Sequence, residues 1–129
     1  MEKLRGTGVA LVTPFRKNFS VDFFSLEKLI NHVIDGGINY LVLMGTTGES
    51  AVLSKEEKQE VVVFCKKVNN GRLPLVLGIG SNNTLALIDE IKATDFNGID
   101  AILSMIQMPN GTPLATIGIE RPINAALLA

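Results

Sequence analysis

Gly45-Thr46-Thr47-Gly48-Glu49-Ser50 gathers two glycines, three hydroxyls and a carboxylate into six consecutive residues. Threonine hydroxyls and neighbouring backbone N–H groups can hold a small carboxylate or phosphate by hydrogen bonds. Glycine lets such a ligand approach the main chain. The stretch is therefore a candidate anion cradle, with Gly45, Thr46, Thr47 and Gly48 as its substrate-binding residues. The other reading is a glycine-rich turn whose hydroxyls satisfy its own backbone. It is not a Walker A loop, because the Gly-Lys-Ser/Thr ending is absent. Gly78-Ile79-Gly80 begins as a dinucleotide loop would but lacks the third glycine at the required spacing. His32 falls in a helical pattern and reads as a surface or boundary residue. Cys65 lies on the apolar side of another helical pattern and reads as a small core residue, not a nucleophile. No metal site and no cofactor is expected.

Apolar runs of strand length alternate with longer amphipathic stretches, which is the signature of β-α units around a parallel sheet. Val9 to Val12 reads as a strand closed by Thr13-Pro14. Asp22 to Asp35 reads as a helix, with Leu26, Leu29, Ile30, Val33 and Ile34 at helical spacing and Asp22 or Ser25 as N-cap. Tyr40 to Met44 is an unbroken apolar strand that ends at Gly45. Its C-terminal end is where parallel α/β proteins build their sites, so the cradle is in the expected place. Ser54 and Glu57 form a capping box ahead of a helix whose Val61, Cys65 and Val68 share one face, and Asn69-Asn70-Gly71 ends it. Leu73 to Ile79 reads as a third strand and Thr84 to Phe96 as a third helix. The sequon Asn82-Asn83-Thr84 reads as turn and helix-cap chemistry. Ile99 to Met108 suits either a helix or a buried strand. Thr112 to Ile119 reads as a further strand, and Pro122 fits the first turn of a closing helix through Leu128.

The 129 residues suit one α/β domain, and the 47% apolar content can form a core without disulfide or metal staples. Twelve Lys and Arg against thirteen Asp and Glu give a net charge of −1, which supplies no basic field for nucleic acid or an anionic membrane. No apolar run reaches the roughly 18 to 20 residues of a membrane span. The lone cysteine, the absence of a secretory pattern and the helical setting of Cys65 point to the reducing cytoplasm.

Gly8-Val9-Ala10-Leu11-Val12-Thr13-Pro14-Phe15, together with Gly45 to Ser50, resembles the dihydrodipicolinate synthase family. The similarity continues through Leu53-Ser54-Lys55-Glu56-Glu57, Leu73 to Gly78 and Asp100 to Ser104, so it covers about residues 1–104. It implies a TIM barrel that condenses pyruvate with an aspartate semialdehyde through a lysine Schiff base, in lysine biosynthesis. By the same resemblance, Thr46 and Thr47 would hold the pyruvate carboxylate and pass protons. Asn82 matches a position near the family's lysine feedback site, but Ala86 stands where some members carry Glu, so feedback inhibition is not implied.

After Ser104 the family would continue with a Thr-Pro-Tyr-Tyr-Asn element and later strands bearing the catalytic Tyr and Lys. Here the last lysine is Lys92 and the only tyrosine is Tyr40, so no catalytic residue is assigned. Residues 104–117 and 124–129 instead resemble the C-terminal part of the carboxyaminoimidazole ribonucleotide mutases, a family of flavodoxin-like fold. In that family the stretch matching Asp100 to Met108 is helical, so the two resemblances disagree there.

The combined expectation is a chimeric or truncated chain. Residues 1–104 would be a partial barrel, completed by residues 105–129 into a flavodoxin-like three-layer sandwich, or else burying its open face in a homo-oligomer. Its function would be that of a scaffold without turnover, keeping a vestigial carboxylate cradle. The alternatives are a pyruvate-dependent aldolase-type lyase and a binding module for a small carboxylate or phosphate. No nucleic-acid or membrane partner is expected.

Overall fold

A computed structural model describes residues 4–81, 83–105 and 116–118. Four parallel strands, β1 (Gly8–Ala10), β2 (Tyr40–Leu43), β3 (Leu75–Gly80) and β4 (Ala101–Met105), stand side by side in sequential order. A fifth, β5 (Thr116–Gly118), adds antiparallel to β4. Helices α1 (Phe23–Asp35), α2 (Lys55–Asn69) and α3 (Thr84–Ala93) connect the parallel strands.

Sequential parallel order is the arrangement that an arc of a barrel has. A flavodoxin-like sheet would place the second strand outside the first, whereas β2 here pairs with both β1 and β3. The described sheet therefore corrects the flavodoxin-like expectation, and the added strand is antiparallel. The ambiguous stretch Ile99 to Met108 resolves as strand over Ala101–Met105, because it pairs with β3 from Val76↔Ala101 to Gly80↔Met105. Residues 106–108, the expected closing helix and Asn82 lie outside the described residues.

The register sorts the side chains onto two faces. Leu41, Leu43, Leu75, Leu77 and Ile79 join Leu26, Ile30, Val61, Cys65 and Leu87 of the helices in one buried cluster. Phe23 of α1 meets Phe64 of α2 with ring centroids 4.9 Å apart, tilted by 56°. Val42, Val76 and Ala101 are neighbours by register on the opposite face, which would line the interior of a closed barrel. β1 is the sheet's open edge, with Gly8 and Ala10 exposed.

Local chemistry fixes the helix ends. Asp22 caps α1, accepting from the Ser25 backbone N–H at 3.3 Å and the Ser25 hydroxyl at 2.7 Å. Those two bonds, with Arg16 nearby, hold its carboxyl below the usual carboxylate range. The capping box of α2 is present in both directions, at 2.9 Å and 3.2 Å. Asn70 ends that helix in the left-handed conformation, with φ 47°. Asn83 caps α3 by accepting from the N–H groups of Leu85 and Ala86, which is the turn and cap chemistry expected of the sequon. That helix ends at Ala93 and not near Phe96, with Thr94 at its C-cap. Among the described residues, no helix is long and apolar enough to cross a membrane.

Candidate functional site

The candidate cradle is built by a chain reversal at the C-terminal end of β2. Strict alternation would put Met44 on the Val42 face, but Met44 has φ +54° and its side chain is 5% exposed within the helix-side core. A left-handed residue that is not glycine costs on the order of 1–3 kcal/mol, so the surrounding packing must hold it there. The turn carries the Met44–Gly45 backbone across Gly78 of β3. A Cβ at Gly78 would lie 2.6 Å from the Met44 carbonyl oxygen and 3.1 Å from the Gly45 nitrogen. Only glycine at that position leaves room for the crossing.

Thr46–Gly48 then forms a short 3-10 turn, with Gly48 N–H donating to the Gly45 carbonyl at 2.9 Å and Glu49 N–H to the Thr46 carbonyl at 3.0 Å. Glu49 is again left-handed, with φ 53°, and a second 3-10 turn covers Ser50–Val52. Gly48 is buried against the segment that follows β1. A Cβ on it would sit 3.1 Å from the Leu11 carbonyl oxygen, and the Thr13 hydroxyl donates to the Gly48 carbonyl at 2.7 Å. The loop thus spans the ends of three strands, resting on β3 at one end and on the β1 segment at the other. Thr46 and Thr47, between the two supports, are exposed.

The structure places Gly45, Thr46, Thr47 and Gly48 in one turn and adds a second reason for one of them. A Cβ on Gly48 would crowd the protein's own Leu11 carbonyl, whatever a ligand also requires. The glycines of Gly78-Ile79-Gly80 lie within β3, so they form no nucleotide loop. His32 is exposed on α1. Cys65 is 1% exposed, and burial pushes its thiol up to about 12. Among the described residues, no group of three or more His, Cys, Asp or Glu could hold a metal ion.

Two contributors escaped the reading of the residues. Thr13 is 4% exposed and tied to the loop, and Gly78 forms its floor. Thr13 stood within the quoted motif and Gly78 within an apparent nucleotide loop, but neither signal named a partner. A cavity of about 960 Å³ lies between α2 and α3. It reaches Met44, Ser50 and Gly78 but neither Thr46 nor Thr47, so this cavity does not include the hydroxyls. Ala86, the position weighed for feedback, is on its wall.

The model of the dihydrodipicolinate synthetase family matches residues 3–108. The chain belongs to that family. Over 105 residues it is 56% identical to the 4-hydroxy-tetrahydrodipicolinate synthase of Flavobacterium psychrophilum, covering 81% of this chain and 36% of that protein. The Cytophaga hutchinsonii synthase is 48% identical over 105 residues, covering 81% of this chain and 35% of the relative. The chain thus spans about a third of the length of the curated relatives it matches. Among solved structures, the 4-hydroxy-tetrahydrodipicolinate synthase of Methylacidiphilum fumariolicum superposes with a TM-score of 0.74 at 36% identity. It covers 83% of this chain and 35% of that structure. Membership in the dihydrodipicolinate synthetase family supports the α/β barrel-fragment reading. The mutase-like resemblance of the C-terminal segment finds no support in these comparisons.

Proposed function

We propose that this chain carries the carboxylate grip of a 4-hydroxy-tetrahydrodipicolinate synthase, a pyruvate-dependent lyase of lysine biosynthesis. The observation that carries the reading is the Thr46–Thr47 turn, exposed beyond the C-terminal end of β2 and supported at both ends. An α-keto acid offers a carboxylate to the hydroxyls and a ketone to an amine. Condensation of that ketone with a primary amine expels water and gives an iminium, whose neighbouring carbon loses a proton to become the carbon nucleophile. The described residues supply the grip on the carboxylate. Their lysines are exposed or half-buried, and the Schiff-base amine is assigned to none of them.

Family membership and the names of the relatives favour this lyase reading over a scaffold without turnover. Titrating pyruvate while following the amide resonances of Thr46 and Thr47, then reducing with borohydride, tests it. Saturable shifts are expected at both threonines, and a covalent adduct only where another chain supplies the Schiff-base amine. A flat titration overturns the carboxylate grip. Shifts without any adduct are the result expected of the grip alone, and an adduct on this chain would assign the amine to one of its own lysines.

A further inference from the structure

We propose that Thr13 is a positioning residue for the Thr46–Thr47 turn, acting through the Gly48 carbonyl and touching no substrate. The proposal rests on the carboxylate reading for its functional meaning, but its structural content stands on separate observations. The Thr13 side chain is 4% exposed, and its hydroxyl donates to the Gly48 carbonyl at 2.7 Å across 35 residues of sequence. A buried carbonyl deprived of its donor keeps the desolvation penalty without the compensating bond, so the loop would reorganise to recover one. Gly48 is also the last residue of the 3-10 turn, and its own N–H closes that turn on Gly45. Fixing its carbonyl therefore fixes the peptide plane at the exit of the turn. At the entrance, the Met44–Gly45 backbone is pressed against Gly78. With both ends held, the two threonines between them have little freedom left, which is the preorganisation that a hydroxyl cradle for a carboxylate requires.

Threonine is suited to the task because branching at its Cβ restricts χ1, so the hydroxyl is aimed before the loop closes. Thr13→Val preserves the shape and removes the donor. Thr13→Ser keeps the donor and loses the methyl group.

In ligand-free protein, hydrogen exchange of the Gly48 and Glu49 amides is expected to accelerate about tenfold in Thr13→Val, with Leu75 to Ile79 of β3 unchanged. Pyruvate affinity, read from the Thr46 and Thr47 amides, is expected to weaken by a similar factor, with Thr13→Ser restoring most of both. Loop exchange at the parental rate in the valine variant overturns the proposal, as does failure of serine to rescue. Should the valine variant not fold, the carbonyl carbon shift of Gly48 in Thr13→Ser decides. Retention of a hydrogen-bonded shift supports the tether, and its loss overturns it. A parent protein that gives no pyruvate response overturns the carboxylate reading alone, because the ligand-free exchange comparison judges Thr13 independently.

Discussion

The loop after β2 and the cavity between α2 and α3 meet at Met44, Ser50 and Gly78, yet they are built in opposite ways. The loop's backbone is fixed by two close approaches and a buried hydrogen bond. The cavity offers about 960 Å³, with walls carrying both signs of charge, including Lys55, Lys58 and Lys66 against Glu60, Glu90 and Asp95. The Lys66–Asp95 pair across it is 3.8 Å apart, and the Asp95 side chain is 70% exposed. The difference separates space from preorganisation. Chemistry that must hold a carboxylate within a fraction of an ångström needs a constrained main chain, whereas a gap between two helices walled by long charged side chains constrains nothing.

The largest effect is expected at Cys65, which reports whether the cavity opens into the core. Cys65 and Lys66 are neighbours on α2, but the thiol is buried in the core while Lys66 lines the cavity. Burial raises the thiol from 9.0 to about 12, so near neutral pH it stays protonated and its reactive thiolate is far scarcer than that of a free cysteine. Alkylation by iodoacetamide should be undetectable in the native protein and rapid once it is unfolded. The folded state binds the proton more tightly than the unfolded one. The contribution of the neutral thiol to stability is therefore complete below pH 9.0 and declines as the pH rises towards about 12. Native-state alkylation near neutral pH would show the helices parting down to the core, and the contrast with the fixed loop would fail.

Next comes Gly78→Ala. The new methyl would meet the Met44 carbonyl oxygen at 2.6 Å and its carbon at 2.9 Å, and backbone atoms cannot move aside as a flexible side chain does. A loss of about 1–3 kcal/mol is expected from overpacking, measured as a lower denaturation midpoint at unchanged m. Shifted amides from Gly45 to Glu49 should accompany it. Ala86→Ser, on the cavity wall, should stay within about 0.5 kcal/mol and leave those amides in place. Equal effects at the two positions would erase the distinction between the regions.

The same contrast explains what the sequence disclosed. α1 and α2 were legible because their signals are local. Leu26 and Ile30 recur at helical spacing, as do Val61 and Cys65, and Asp22 and the Ser54–Glu57 box cap the residues beside them. The cradle was legible as composition, since Gly45, Thr46, Thr47 and Gly48 are contiguous. Its supports were not. Thr13 acquires its role from a carbonyl 35 residues away, and Gly78 from the backbone of the neighbouring strand. A glycine in a nucleotide turn and a glycine under a crossing main chain look alike in a one-dimensional pattern. The left-handed turn at Met44 ran against the residue type, because an unbranched apolar side chain at the end of an apolar run gives no cue for φ +54°. Strand order was equally hidden. Ile99 to Met108 carried helix-compatible spacing, and pairing with β3 decided it, a tertiary contact that overrode local pattern.

The smallest expected effect tests the cavity from its own side. If its charged walls are solvated surface, then Asp95→Asn, which removes the partner of Lys66 and conserves shape, should change stability by no more than about 0.5 kcal/mol. Adding salt to the parent protein should have as little effect, since the exposed Asp95 end of the pair is already screened by water and ions. Asp95 has a second tie that the substitution keeps in kind, because its side-chain oxygen accepts from the Asn97 N–H at 3.0 Å and an amide oxygen can do the same. The comparison therefore isolates the charge. A loss of 1 kcal/mol or more, abolished at high salt, would mean that the Lys66–Asp95 contact sets the separation of α2 and α3. The cavity would then be a built feature like the loop, and its proximity to Met44 and Gly78 would link the packing of the helices to the conformation of the cradle.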